Sequence, residues 1–278
     1  MSAKLLRGCV WLGALLSAGV LVLLVGFILI NGVPHLTPRL FAWEYDSTNV
    51  SLMPALVNTL LMALLALAIA APVGIASAIY LVEYAKPRSR FVRLVRLTAE
   101  TLQGTPSIVF GLFGLLCFTT ILGWGLSLVS GACTLAIMVL PLLMRTTEEA
   151  LLAVPQSYKQ GGLALGAGML RTIVRCVLPS AMPGIFGGLL LAFGRCVGEV
   201  AALLFTAGTV AQIPHFATQG AAALFDSTRT LAVHMYVLAS EGLHTNEAYA
   251  TAVVLLGLVA LLNGGANWVV DRLNARLS

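Results

Sequence analysis

Two ionisable residues, Arg195 and Glu199, stand inside an otherwise apolar stretch running from about 181 to 208. An ionised group at the centre of a bilayer costs about 2.5–3.5 kcal/mol even on insertion scales, so two of them need a reason. Four residues apart, they share one face of a helix and can partly neutralise each other. One use of such a pair is structural, an ion pair that packs a bundle. The other is transport of an anion: a guanidinium offers phosphate a planar fork of donors that keeps its charge, and a nearby carboxylate limits how tightly the anion is held. Gly187, Gly194 and Gly198 adjoin this face. The pairs Gly184/Gly188 and Gly194/Gly198 have the spacing that lets a second helix approach closely.

A second constellation lies in residues 146–183, a segment too polar to span a membrane and too patterned to be a linker. Leu151, Val154, Tyr158, Leu163, Leu165 and Ile173 give it a helical apolar rhythm. Glycines at 161–162 and 166–168 are expected to break it into short helices. A short amphipathic helix held beneath a membrane suits the groove of a partner protein. Nucleotide chemistry does not belong to this chain: there is no GxxxxGK[ST], and the glycine-rich run 161–168 lacks the lysine that would reach a phosphate. No nucleophile–base arrangement is visible. His215, His234 and His244 lack metal-ligand spacing, and the five cysteines read as small apolar fillers with no disulfide framework.

The elements that must position these residues follow from composition. Of 278 residues, 59% are hydrophobic and only 10% charged, with a mean hydropathy of +0.96. A water-facing surface needs about a quarter charged residues, so most of the chain must face lipid or other apolar helices. The net charge of +5 sits in a few stretches between apolar runs, without the basic stripe and interleaved aromatics of a nucleic-acid binder. Runs of about 20 apolar residues predict six spans near 8–31, 55–80, 97–122, 126–145, 181–208 and 247–270. The first is longer than the apolar core of a signal peptide and is read as a retained span. Lys4 and Arg7 precede it. Lys86, Arg88, Arg90, Arg93 and Arg96 lie between spans two and three, Arg145, Lys159, Arg171 and Arg175 between four and five, and Arg272 and Arg276 after six. The intervening stretches hold only Arg39 and Arg229. This bias predicts cytoplasmic N- and C-termini. Residues 32–54 and 209–246 then lie outside, and 221–239, broken by Asp226 and Arg229, is not a seventh span. Pro72, Gly104, Pro106 and Pro141 fall inside predicted spans, as kinks or as discontinuities along a pathway. Glu100 is expected to pair with Arg93 or Arg96 at the membrane boundary.

The 146–183 segment resembles the coupling loop of importer-type ABC permeases, whose pattern is Glu-Ala-Ala, three residues, Gly, nine residues, Ile, one residue, Leu-Pro. Gly166, Leu178 and Pro179 stand at that spacing. Gln160, Gly161 and Gly162 replace Glu-Ala-Ala, and Cys176 replaces Ile; Glu148-Glu149-Ala150 comes twelve residues too early for that spacing. Residues 106–113, 145–151, 154–158, 198–199 and 231–242 are similar to the phosphate-transport (PstA) permeases in particular. The resemblance implies an all-α membrane protein of the type I importer (MetI-like) fold, with six transmembrane helices and a cytoplasmic coupling helix near 154–166. The first helix and outer loop would occupy 1–54, and the permease domain 55–278, with its coupling loop at about 146–180. It implies a non-catalytic subunit of the bacterial inner membrane, holding no cofactor itself. ATP and Mg would be bound by a partner ATPase dimer (PstB-like), with a second permease (PstC-like) and a periplasmic phosphate-binding protein (PstS-like). Tyr158, Gln160, Gly161, Gly162, Gly166, Leu178 and Pro179 would serve coupling to the ATPase; Arg195 and Glu199 would serve the substrate pathway. Two other readings stay open on the residues alone: a permease for another oxyanion such as phosphonate, sulfate or molybdate, and an ion-coupled secondary transporter. The second would need internal repeats and mid-membrane carboxylates, and only Glu199 meets that description.

Overall fold

Small residues set the centre of the bundle. In α2 (Met53–Ile79), Ala63, Ala66, Ala70, Gly74 and Ala78 recur every three or four residues and are all buried. That stripe lets α2 lie close against α5 (Leu128–Leu152), whose Leu135, Val139 and Leu143 fill the core from the other side. Without a hydrophobic drive between helices in lipid, such close backbone approach is what association rests on. The computed structural model describes residues 3–46, 48–86 and 89–277; Arg88, one of the basic residues counted above, lies outside them. Among the described residues all regular structure is helical.

Helix α1 (Ala3–Gly32) stands apart from this core. No residue of its apolar window is buried, and it joins the bundle at its last turns, where Phe27 packs edge-on against Tyr249 with centroids 5.8 Å apart. Helix α2 runs on through a π-helical turn, Tyr80–Tyr84. Then comes α3 (Arg90–Gln103), started by Ser89, whose hydroxyl accepts from the Phe91 amide, and α4 (Ser107–Gly114), which continues as a π-helical stretch Leu115–Ile121. The predicted third span, 97–122, is not one straight helix. The chain bends by 101° between Gln103 and Ser107, because Pro106 has no amide to donate and disfavours helical backbone at Thr105 before it. Helix α3 is strongly amphipathic instead, with Phe91, Leu94 and Leu97 exposed beside Arg90 and Arg93, the pattern of a helix lying in a membrane interface. Among the described residues five helices are therefore long and apolar enough to cross a membrane, and the bent pair makes a sixth only if counted as one span.

After α5 come the short α6 (Gln156–Ala164) and α7 (Met169–Thr172). The latter runs through a π-helical turn, Ile173–Val177, into α8 (Leu178–Val197). The fifth span thus starts at Met169 rather than near 181, and it stops at Val197 rather than near 208. A separate short helix, α9 (Ala201–Thr206), follows. The predicted glycine break at 161–162 does not occur, since α6 runs through it; only the break around Gly166 does. The remaining stretch carries α10 (Phe216–Gln219) and α11 (Leu231–Glu241), both too short to span. Helix α12 (Thr245–Leu277) returns along α8 and α1.

The GxxxG expectation holds for one of its two pairs. A Cβ on Gly184 would come 2.6 Å from Ala150 Cβ, and one on Gly188 would collide with the Thr146 hydroxyl, so both glycines are where α8 meets α5. A Cβ on Gly194 would meet no packed neighbour within 4 Å, and one on Gly198 only the Gly194 carbonyl, at 3.8 Å.

Candidate functional site: a short exposed helix and two arginines

Helix α6 begins after Pro155, which is pre-set for the residue before a helix start, and it ends at a cap built by Gly166. The Gly166 amide donates to the Leu163 carbonyl (3.0 Å) and the Ala167 amide to the Gly162 carbonyl (3.2 Å). These two bonds form a Schellman motif, which requires a left-handed residue at the turn. Gly166 has φ +79°, where a Cβ would strain the backbone. Gly162 has a different role: a Cβ there would lie 2.8 Å from Thr172 Cγ2, so its absence lets α6 lie against the buried Thr172 of α7. Gly161 has no neighbour of this kind. Gln160 is exposed, and so are Tyr158, Leu163 and Leu165, the last by 90%. A short helix that keeps its apolar side chains in the open has a face prepared for another protein. Beside it an open groove of about 330 Å³ is lined by Val154, Tyr158, Ala181 and Gly184. Leu178 and Pro179 are not on α6 at all; they follow directly on the π-helical turn Ile173–Val177, inside the continuous span Met169–Val197.

Lys159 is the exception on α6. Its ammonium reaches the Glu83 carboxylate, Nζ to Oε2 at 2.6 Å, in the π-helical turn that ends α2, and the Glu83 side chain is only 5% exposed. This pair escaped the sequence reading, although an acidic residue closing an apolar run just before a basic stretch is the signal that marks it. The boundary ion pairs are also redistributed. Glu100 bonds Arg145 (3.1 Å) rather than Arg93 or Arg96, Arg145 also reaches Glu149 (3.1 Å), and Arg96 pairs with the largely buried Glu148 (2.5 Å). Together they fasten the interfacial α3 to the end of α5.

Arg195 and Glu199 do not form the expected pair. Helix α8 ends at Val197, so the two no longer share a helix face. Glu199 turns instead to the start of α9, its Oε1 accepting from the Ala202 amide at 3.2 Å. Arg195 is exposed on the same face as Leu191 and Gly198, pointing away from this chain's own core. Among the described residues no ion pair or side-chain hydrogen bond engages it.

At the far end of the bundle a second arginine is treated in the opposite way. Arg229 is 8% exposed, donating to the Thr209 carbonyl (2.6 Å) and to His234 Nδ1 (3.2 Å), and lying over the Tyr45 ring at 5.5 Å. Asn58 of α2 binds the backbone on both sides, at Gln212 O and Arg229 O. Burial, with the neighbouring Arg229 charge adding to it, pushes the His234 pKa down to about 4.

Residues 70–278 match the model of the family described as binding-protein-dependent transport system inner membrane component. The chain belongs to that family. The permease is 34% identical over 99% of its length to the probable ABC transporter permease protein YqgI of Bacillus subtilis, covering 97% of that protein. It is 34% identical over 72% of its length to phosphate transport system permease protein PstA 2 of Mycobacterium bovis, covering 65% of it. Against PstA 1 of Mycobacterium tuberculosis the figures are 41% identity over 55% of this chain and 50% of the relative. Among solved structures, a chain of the MetNI methionine ABC transporter in an inward-facing conformation superposes with a TM-score of 0.61 at 19% identity. That match covers 80% of the permease and 94% of that chain. A chain of a bacterial ABC transporter that imports alginate does so with a TM-score of 0.53 at 15% identity, over 96% and 98%. The fold is therefore that of ABC importer permeases. The chain is a multi-pass inner-membrane subunit of a class that works with a partner permease, an ATPase and a substrate-binding protein.

Proposed function

We infer that this permease imports inorganic phosphate, with a PstC-like second permease completing the pathway, a PstB-like ATPase dimer supplying the work and a PstS-like binding protein delivering the anion. The basic ends of the spans, α6 included, face the cytoplasm, as the lysine and arginine bias requires, and the bent α3–α4 pair counts as the third of six crossings. Helix α6 is the segment the ATPase grips. The observation that carries the reading is Arg195: a permanent cation on a membrane-spanning helix, turned away from its own bundle and, among the described residues, without a carboxylate partner. Such a charge is too costly to face lipid. It belongs at a hydrated seam with the second permease, where the open space around Gly194 and Gly198 leaves room for an oxyanion. The phosphate permeases among its relatives support phosphate as that anion.

Uptake of radiolabelled phosphate into vesicles holding the complete complex tests this. Losing a charged hydrogen-bond partner is worth about 1.5–3 kcal/mol, so Arg195→Gln should slow uptake about 10- to 100-fold at matched protein level. Arg195→Lys keeps the charge without the fork and should fall between. Wild-type uptake in the Gln variant would remove Arg195 from the pathway. Sulfate or molybdate competing as well as unlabelled phosphate would move the substrate to another oxyanion.

A further inference from the structure

Helix α6 touches the membrane-spanning part of the chain at two points on two different spans. Through Gly162 it lies on Thr172, at the root of the helix that carries Arg195. Through Lys159 it is ion-paired with Glu83, in the π-helical turn that ends α2. The second contact has unusual physical weight. A carboxylate 95% removed from solvent and 2.6 Å from an ammonium is held in a fixed place, because pulling the cation away strands a buried charge. The remainder of α6 is exposed, so it has little else to hold it. Helix α2, in turn, is packed along α5 through its stripe of small residues, so a displacement at Glu83 is passed to the core rather than absorbed at a loose end. The π-helical turn that carries Glu83 is itself a non-standard stretch of a membrane helix, a feature frequent at functional sites.

We propose that the Lys159–Glu83 ion pair is the strut through which movement of α6 reaches α2, making Glu83 a positioning residue for transport that acts without touching substrate or nucleotide. The proposal rests on the reading of α6 as the ATPase-gripped helix. Two attachment points on two spans convert one displacement of α6 into a relative movement of α2 against α8. With the pair broken, α6 still hangs from α8 by the Gly162–Thr172 contact, so the motor keeps its grip while half of the linkage is lost.

The test is a coupling ratio in vesicles reconstituted with the permease, its partner permease, the ATPase and the binding protein: inorganic phosphate imported per ATP hydrolysed. Glu83→Gln and Lys159→Met each remove the charge pair while keeping shape. The complex should still assemble, and phosphate per ATP should fall at least about fivefold in both variants, with Lys159→Arg restoring most of it. An unchanged ratio in either assembled variant overturns the strut. So does loss of ATPase binding in the variants, which would make the pair a builder of the docking face rather than a transmitter. Failure of the underlying reading looks different: the wild-type permease itself would recruit no ATPase.

Discussion

Gly166 offers a clean perturbation of α6, the proposed coupling helix. Its φ of +79° is a region that L side chains rarely adopt, yet nothing lies within 4 Å of the position a Cβ would take. The effect of a substitution is therefore confined to the backbone. Placing an ordinary residue in the left-handed region costs about 1–2 kcal/mol, with β-branched side chains at the upper end and Asn, which tolerates the conformation, near the lower. At about 1.4 kcal/mol per factor of ten, Gly166→Val should lower the population of the capped form of α6 by about 5- to 30-fold. A nine-residue helix has no stability of its own to spare. Read as affinity of the ATPase for the detergent-purified permease, by titration of one against the other, the Val variant should bind at least about fivefold more weakly while inserting into membranes normally. Gly166→Asn should stay within about twofold. Equal binding by wild type, Asn and Val would refute the reasoning, because the terminus of α6 would then contribute nothing to the surface the ATPase reads.

Other perturbations give separable readouts. Gly188→Val should drive α5 and α8 apart at Thr146 and lower stability by about 1–3 kcal/mol, seen as a reduced unfolding temperature in detergent. Gly187→Ala, which meets nothing, should be neutral or slightly stabilising. The cluster around Arg229 and His234 should be acid-sensitive. His234 is held neutral with its pKa near 4 against 6.5 when unfolded, so the unfolded chain takes up the proton first. Stability is then full above pH 6.5 and is lost as pH falls from 6.5 to 4, by about 3 kcal/mol in total. His234→Gln, which keeps an acceptor for Arg229, should flatten that slope in pH-dependent unfolding.

The apolar runs were enough to locate the five long helices, because the demand for about 20 residues per crossing is set by the bilayer and not by tertiary detail. Boundaries failed where a local backbone rule outweighed hydropathy. A window that averages over 97–122 passes smoothly across Gly104, Thr105 and Pro106, yet those residues turn the chain by 101°. At Arg195 and Glu199 the four-residue spacing implied a shared face only while the helix was assumed continuous. Gly198 ends it, and Glu199 satisfies a free amide of α9 instead. The helix break at Gly166 was legible, because that glycine stood at the expected spacing. Its reason, a left-handed cap, needs dihedral angles. Glu83 and Lys159 lie in different segments, and no local period relates them. Such a pair becomes visible only when the chain has folded.

Cross-linking to the ATPase addresses the central claim most directly. With Leu165, 90% exposed at the tip of α6, replaced by cysteine and the ATPase carrying single cysteines around its permease-facing groove, membranes holding the complete transporter should give a specific disulfide-linked permease–ATPase species. Its yield should change when ATP is bound. A Leu165→Cys permease that forms no such species, and that reacts with a membrane-impermeant thiol reagent added from the periplasmic side, would contradict the account.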